Sequence, residues 1–144
     1  MGTFEEFAYA ERRCTIPCNM AIMFPAIVSE KSFAEYPQLR TEGDLINMAL
    51  EASERVKSPY AEIDGIRVSN MKQFRIRTAP FDLYFPENNI FRVQTGVTRS
   101  VSDGYWIFLD PLSSGIHQLR FGGESYLMDK LEFKTDVTYH LTVK

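Results

Sequence analysis

The sequence is poor in the residues that most catalytic and metal centres use. Its 144 residues include only two histidines and two cysteines. Cys14 and Cys18 flank Pro17, and in an extended segment this separation exceeds the reach of a disulfide bond. We therefore expect two free, partly buried thiols. Neither a second cysteine pair nor a histidine cluster completes a zinc site, so we expect no metal and no cofactor.

Several signatures of function and location are also missing. The sequence contains no Gly-x-Ser-x-Gly elbow, phosphate-binding loop or dinucleotide fingerprint. The net charge of -3 argues against a nucleic-acid partner, which requires clustered basic residues. The longest uncharged run, 14–29, contains two prolines and is shorter than a membrane span. Because the N-terminus lacks the apolar core of a signal peptide, we expect a soluble cytoplasmic protein without a membrane partner.

What is present is typical of a globular chain. Hydrophobic residues make up 44% and charged residues 24%, which predicts a single domain over 1–144 with its own core. Thr41 and Asp44 form a capping box, in which each side chain accepts a hydrogen bond from the backbone N–H of the other residue. This pattern predicts one amphipathic helix over 42–57, ended by Ser58 and Pro59.

Strand patterns fill most of the remaining sequence. Asp64-Gly65 predicts the tip of a hairpin, and Pro25 predicts a bulge or a sheet edge. We expect breaks in the chain at Asp103-Gly104 and Gly122-Gly123. The predicted strand segments are 4–15, 19–29, 60–68, 81–85, 90–102, 105–109, 116–121 and 136–144. The last three read as consecutive antiparallel strands, and the whole pattern predicts a mainly β protein, an antiparallel β-sandwich of the Ig-like or jelly-roll-like kind.

Few side chains are candidates for catalysis. Strand alternation places His140 on a polar face and turns His117 inward, where a hydrogen-bonded core histidine is our main interpretation. The alternative is a hydrolase acting on a sugar or an ester, in which His117 works with a nearby carboxylate. The candidates for that carboxylate are Asp82, Glu87 and Asp103.

The leading interpretation is a non-enzymatic binding or structural β-sandwich module, because catalytic side chains are sparse. Its partner would be a protein or a glycan. Tyr84 lies on the polar side of its predicted strand, and the polar loop after that strand contains Asn88 and Asn89. These three residues are candidates for ligand binding.

A set of short motifs runs through nearly the whole chain. They are Arg13-Cys14-Thr15-Ile16-Pro17, Phe24-Pro25, Phe81-Asp82-Leu83, Pro86-Glu87-Asn88-Asn89, Asp103-Gly104-Tyr105-Trp106, Phe121-Gly122-Gly123 and Asp136-Val137-Thr138-Tyr139-His140-Leu141. Together they resemble an uncharacterised family of mostly secreted bacterial proteins. The resemblance implies a β-sandwich fold. The family has no assigned activity, so the resemblance implies no catalytic residue.

The chain departs from that family in two ways. Relatives commonly have an export signal and an upstream aromatic strand, and they often have a second cysteine where this chain has Lys31. A disulfide from Cys14 to that position cannot form here, so we expect a shortened cytosolic relative, encoded by a mobile gene. Loss of the upstream strand predicts an open apolar edge near 4–9 and 20–28, and an open edge of this kind predicts a homodimer.

Overall fold

The structure, a computed structural model, describes residues 6–144, with side chains from Ala8 onward. One α-helix and nine strands make up the regular structure of this part of the chain. They are β1 (Glu6–Ile16), β2 (Ile22–Ser32), α1 (Glu42–Glu54), β3 (Val56–Ile63), β4 (Ile66–Arg67), β5 (Arg75–Arg77), β6 (Phe81–Phe85), β7 (Gly96–Leu109), β8 (Gly115–Leu127) and β9 (Lys130–Val143), with a 3₁₀ turn at Met71–Phe74.

The strands form two sheets. The larger sheet has the order β1-β9-β8-β3-β4, and the smaller has the order β2-β7-β5, with β6 also paired to β7. β1 runs parallel to β9, from Glu6 opposite Phe133 to Ile16 opposite Val143. The mainly β class is confirmed, whereas the prediction of a purely antiparallel arrangement is wrong at β1.

The described chain divides into two compact units. The first consists of 6–27, Arg55–Arg75 and Tyr105–Lys144, and the second of Val28–Glu54 and Ile76–Gly104. Each unit has its own apolar core.

The core of the first unit is built from both sheets, which makes it a β-sandwich. Its buried residues are Phe24, Ala26, Ile27, Ala61, Tyr105, Ile107, Leu119, Phe121 and Leu141. The rings of Phe24 on β2 and Phe121 on β8 lie 4.6 Å apart between centroids. The Ig-like or jelly-roll-like subtype stays a prediction.

The predicted break at Gly122-Gly123 is wrong, because both glycines lie within β8. A Cβ atom on Gly122 would lie 2.0 Å from the carbonyl oxygen of Thr135, and one on Gly123 would lie 2.9 Å from Cγ2 of Ile27. Glycine is therefore required here by close approach and not by a turn.

The break at Asp103-Gly104 is also wrong, because β7 runs through it with both residues buried. β7 belongs to the smaller sheet, whereas β8 and β9 belong to the larger one. The three C-terminal strands therefore do not form one sheet. The strand prediction over 90–102 was also too long, since β7 begins at Gly96.

Local signals at the helix and the hairpin are confirmed. Oγ1 of Thr41 accepts a hydrogen bond from the N–H of Asp44 at 3.2 Å, and Oδ2 of Asp44 accepts one from the N–H of Thr41 at 2.8 Å. Asp64 and Gly65 both have positive φ, 51° and 79°, as the tight turn between β3 and β4 requires. The predicted helix was three residues too long, since α1 ends at Glu54.

β3 explains why the helix ends early. It begins at Val56 and passes through Ser58 and Pro59, where its register with β8 shifts. Ser58 has a φ of 52°. The proline that was expected to end the helix therefore occupies a bulge in a strand.

In the second unit, α1 packs on the N-terminal half of β7. Leu45, Ala49 and Val101 are fully buried there, and Phe33, Leu39 and Ile46 pack around them. β6 spans Phe81–Phe85 as predicted.

β2 is the terminal strand of the smaller sheet and contains Pro25, which confirms the expected sheet edge. Of the predicted first strand, Phe4 lies outside the described residues.

Candidate functional site

An apolar cleft of about 620 Å³ lies in the first unit. The terminal strand of each sheet lines it, β1 on one side and β2 with the segment before it on the other. Its lining residues are Ala10, Arg12, Cys14, Ile16, Met20, Ala21, Ile22, Met23, Phe24, Pro25, Leu119, Phe121, Val137, Tyr139 and Leu141.

Strand alternation explains how β1 contributes to this cleft. Ala10, Arg12, Cys14 and Ile16 are two residues apart, so their side chains share one face of β1. In the parallel register Arg12 lies opposite Tyr139 of β9. The sequence pattern contained this signal, but Arg12 was not singled out because nothing in the sequence indicated a cleft in front of that face.

Arg12 is the one charged residue among the described residues that line the cleft. It is exposed, and among the side chains that the structure describes, from Ala8 onward, no carboxylate lies at ion-pair distance from it. Aliphatic and aromatic side chains form almost all of the remaining surface. A cleft of this kind can bury an apolar molecule and pair with one negative charge at its mouth.

The two cysteines are free, and both are exposed, so the expectation of partly buried thiols is wrong. Cys14 lines the cleft, whereas Cys18 lies in the turn after β1, where its N–H donates to the carbonyl of Lys144 at 2.8 Å. Among the described residues, no three His, Cys, Asp or Glu side chains cluster as a metal site would require.

His117 contacts a carboxylate that the sequence analysis had assigned only to a turn. Its Nδ1 lies 2.7 Å from Oδ2 of Asp64, and its Nε2 lies 2.8 Å from the carbonyl oxygen of Ser113. The imidazole side chain is 13% exposed. The expected hydrogen bonds of His117 are therefore present, but the residue is only partly buried and does not belong to the buried core of the first unit.

This arrangement resembles a Ser-His-Asp triad but has different chemistry. The Ser113 hydroxyl lies 3.5 Å from Nε2, farther away than the backbone carbonyl of the same residue. A carbonyl oxygen cannot donate a hydrogen bond. Nε2 therefore carries a proton and is the donor of this hydrogen bond. Asp64 raises the pKa of His117. An imidazolium with both N–H groups engaged cannot take a proton from Ser113.

The three carboxylates proposed as partners of His117 belong to the second unit. Asp82 pairs with Arg99 at 2.9 Å, Glu87 is exposed, and Asp103 is 1% exposed within β7. His117 belongs to the first unit, where its contact is with Asp64.

The candidate ligand residues near β6 differ in how they are used. The side chain of Asn89 holds its own loop through bonds to Pro86 and Val93. Asn88 has a φ of 57° and serves the turn. Tyr84 is 63% exposed, as predicted, and Asn88 is exposed as well.

A polar network on the first unit was not anticipated. Arg120 binds both carboxylate oxygens of Asp136, at 3.1 and 2.8 Å, and the Tyr60 hydroxyl donates to the same carboxylate at 2.7 Å. Burial and Asp136 raise the pKa of Tyr60 to about 12. The network lines a hollow of about 290 Å³. Because Arg120 is already paired with Asp136, this hollow is less suited to binding an anionic ligand than the cleft that contains Arg12.

His140 is less solvated than predicted. Its Nε2 lies 2.7 Å from Oε1 of Glu11, which ties β9 to the edge strand β1. This bond supports the strand that forms one side of the cleft.

No protein-family model matches the chain. Comparisons with the curated proteins and with the solved structures likewise returned no match. Within residues 6–144, no helix has both the length and the apolar character needed to cross a bilayer.

Proposed function

We propose that the protein is a non-enzymatic binding module, and that its ligand is a small amphipathic molecule held in the apolar cleft. The observation that carries the proposal is a cleft of about 620 Å³ in which Arg12 is the one cationic side chain among the described residues. Ligand pockets in proteins commonly measure about 300–1,000 Å³ and combine an apolar lining with a few polar groups. The cleft fits this description.

The lining indicates the chemistry of the ligand. Phe24, Leu119, Phe121 and Leu141 present an apolar surface, which favours an alkyl or aromatic body. The planar guanidinium of Arg12 favours a carboxylate or a phosphate, since either can accept two parallel hydrogen bonds. The occupant that we propose is therefore an amphipathic anion of the fatty-acid class.

The opposite wall suits ligands of variable shape. Met20 and Met23 are 50% and 62% exposed and stand beside the opening. Methionine side chains are flexible and polarisable, so they adapt to different apolar partners. This wall favours a class of chain-like ligands over one rigid compound.

Calorimetric titration with dodecanoate and with uncharged dodecanol tests the proposal. We expect both to bind the wild type. Arg12→Gln should weaken dodecanoate about tenfold or more, because a charge-assisted hydrogen bond contributes about 1.5–3 kcal/mol, and should leave dodecanol unchanged. Arg13→Gln, on the opposite face of β1, is the matched control and should change neither affinity. Ala10→Trp should fill the cleft and abolish the binding of dodecanoate and of dodecanol.

The sequence analysis predicted that the segments lining this cleft form a homodimer. Sedimentation equilibrium distinguishes a small ligand in the cleft from a second copy of the chain. We expect a mass of 16.6 kDa with and without dodecanoate. Failure of the wild type to bind either probe would overturn the proposal. A doubled mass that Ala10→Trp returns to the monomer would assign the cleft to a second copy of the chain.

A further inference from the structure

The polar hollow of about 290 Å³ lies on the face of the larger sheet that points away from the core. Strand alternation separates it from the apolar cleft. Phe121 and Val137 line the cleft, whereas their chain neighbours Arg120 and Asp136 line the hollow. The described lining residues of the hollow belong to β3, β8 and β9, apart from Arg67 of β4. The two recesses have no described lining residue in common, so each can be tested without the other.

The Tyr60 side chain crosses β8 in this hollow. Tyr60 of β3 pairs with Gly122 of β8, which pairs in turn with Asp136 of β9. The Tyr60 hydroxyl reaches past Gly122 and donates to Asp136 at 2.7 Å. A Cβ atom on Gly122 would lie 3.1 Å from Cε1 of the Tyr60 ring, so the missing side chain leaves room for the ring. Together with the two hydrogen bonds from Arg120, the Tyr60 hydroxyl holds the Asp136 carboxylate in one orientation.

The backbone beside the hollow is irregular. Ser58 has a φ of 52° and precedes Pro59, and the register of β3 with β8 shifts between Lys57 and Tyr60. Positive φ is strained for a residue with a Cβ atom, and a following proline restricts the backbone further. Bulges and strained residues are common beside binding sites, because they direct side chains where a regular strand would not. Here the bulge places Ser58 in the lining of the hollow.

The charges around the hollow are paired one to one. Each cation of the described lining has its own carboxylate at 2.8 to 3.1 Å: Arg120 with Asp136, Lys134 with Glu124, and Arg67 with Glu62. An anionic ligand would meet the carboxylates and a cationic ligand would meet the cations, so the hollow favours a neutral ligand. The paired groups keep hydrogen-bonding capacity. A carboxylate can accept about four hydrogen bonds, and the described contacts use two on Glu124.

This surface of fixed donors and acceptors matches a neutral molecule with several hydroxyl groups, since each hydroxyl both donates and accepts. Tyr9 adds an aromatic ring beside it. Tyr9 is opposite Asp136 in the parallel pairing of β1 and β9 and is 71% exposed, and neighbouring strands lie about 4.8 Å apart. The C–H face of a sugar ring is apolar and packs on such a ring. We propose that the hollow is a second binding site, and that its ligand is a neutral hexose in its pyranose form.

NMR titration of the backbone amides tests the site with glucose, galactose and mannose, each compared with its uronic acid and its amino sugar. We expect at least one neutral hexose to shift the signals of Gly122, Gly123 and Asp136, with a dissociation constant of about 1 mM. The uronic acid and the amino sugar of that hexose should bind about tenfold more weakly, because each brings a charge beside a like charge.

Asp136→Asn and Lys134→Gln change the charge of the hollow in opposite directions. Asp136→Asn leaves Arg120 without its carboxylate, so it should weaken the neutral hexose about tenfold and strengthen the uronic acid. Lys134→Gln should strengthen the amino sugar instead. Loss of local structure would weaken all three sugars together, so the opposite shifts report the charge of the site. Glu87→Gln, which changes an exposed carboxylate of the second unit, is the control and should change no affinity.

Maltose, lactose and mannobiose distinguish a free hexose from the end of a glycan. Tighter binding of a disaccharide than of its hexose, lost in Tyr9→Ala, would assign the site to a glycan whose second ring packs on Tyr9. Equal affinities would assign it to the free hexose. The proposal is overturned if no neutral hexose shifts these amides at about tenfold above 1 mM. It is also overturned if the charged sugars bind as tightly as the neutral one.

Discussion

Nδ1 of His117 lies 2.7 Å from Oδ2 of Asp64, and this contact joins the tip of the β3–β4 hairpin to β8. On the other side of the ring, Nε2 donates to the carbonyl of Ser113, in the connection between β7 and β8. The N–H of Gln118 donates to the second oxygen of Asp64 at 2.8 Å. One imidazolium therefore ties two loops of the first unit together.

Asp64→Asn should lower the pKa of His117, because the neutral amide no longer stabilises the imidazolium. The pKa of His117 is raised above 6.5 and that of Asp64 is lowered below 3.8 in the folded protein. The stability that His117 contributes to the folded protein is thus lost as pH rises through the folded pKa of His117. The stability that Asp64 contributes is lost as pH falls through the folded pKa of Asp64. The pair therefore stabilises most between pH 3.8 and pH 6.5.

NMR titration of the His117 ring measures this pKa directly, and denaturation at pH 6 and pH 9 measures the effect on stability. We expect Asp64→Asn to cost about 1 kcal/mol or less at pH 6 and less still at pH 9. Asp110→Asn, an exposed carboxylate in the same connection as Ser113, is the control. An unchanged His117 pKa in Asp64→Asn would contradict the assignment.

Ile107 and Phe108 are adjacent on β7 and should respond in opposite ways to truncation. Ile107 is buried in the core of the first unit, whereas Phe108 is 66% exposed. Ile107→Ala should cost about 2–5 kcal/mol because it leaves a cavity. Phe108→Ala should change stability by about 0.5 kcal/mol or less. Urea denaturation midpoints compare the two, and equal losses would mean that the faces of β7 are assigned incorrectly.

Gly123→Ala should destabilise the fold by about 1–3 kcal/mol, because the new methyl group overlaps Ile27. The added Cβ would lie 2.9 Å from Cγ2 of that residue. In a double-mutant cycle, Ile27→Ala should remove part of this cost, which shows as a coupling energy. Gly43→Ala is the control, since its Cβ would lie 3.5 Å from Oγ1 of Thr41, an ordinary contact, and helical alanine is favourable. Additive losses for Gly123 and Ile27 would contradict the close approach.

Thr41→Ala should cost about 1 kcal/mol, because the N–H of Asp44 loses its side-chain acceptor at the start of α1. Thr41→Ser keeps a hydroxyl in the same place and should restore most of the stability. Thermal unfolding of the three proteins measures the series. If Thr41→Ser is as unstable as Thr41→Ala, the loss comes from the methyl group and not from the cap.

The resemblance to a family of mostly secreted bacterial β-sandwich proteins stays a prediction, because no comparison tests it. The expected cytoplasmic location and the origin in a mobile gene stay predictions as well. The cleft proposal depends on none of them, since its argument uses only the lining residues and Arg12.

The sequence by itself determined the features that depend on a few neighbouring residues. Thr41 and Asp44 predicted the helix start, Asp64-Gly65 predicted the hairpin turn, and the alternation in Phe81–Phe85 predicted the exposure of Tyr84. In each case the controlling interaction lies within about four residues, so the pattern and its cause are read from the same short stretch.

Only the tertiary structure decided where the strands begin and end and which residues of different strands contact each other. Gly122 and Gly123 resemble a turn in the sequence, but their role depends on Thr135 and Ile27, which are distant along the chain. In the same way, alternation places Arg12 and Cys14 on one face of β1, yet the cleft exists only because Met23 and Phe24 of β2 lie opposite. Such contacts join residues far apart in sequence, and local propensity carries no information about which distant segments will meet.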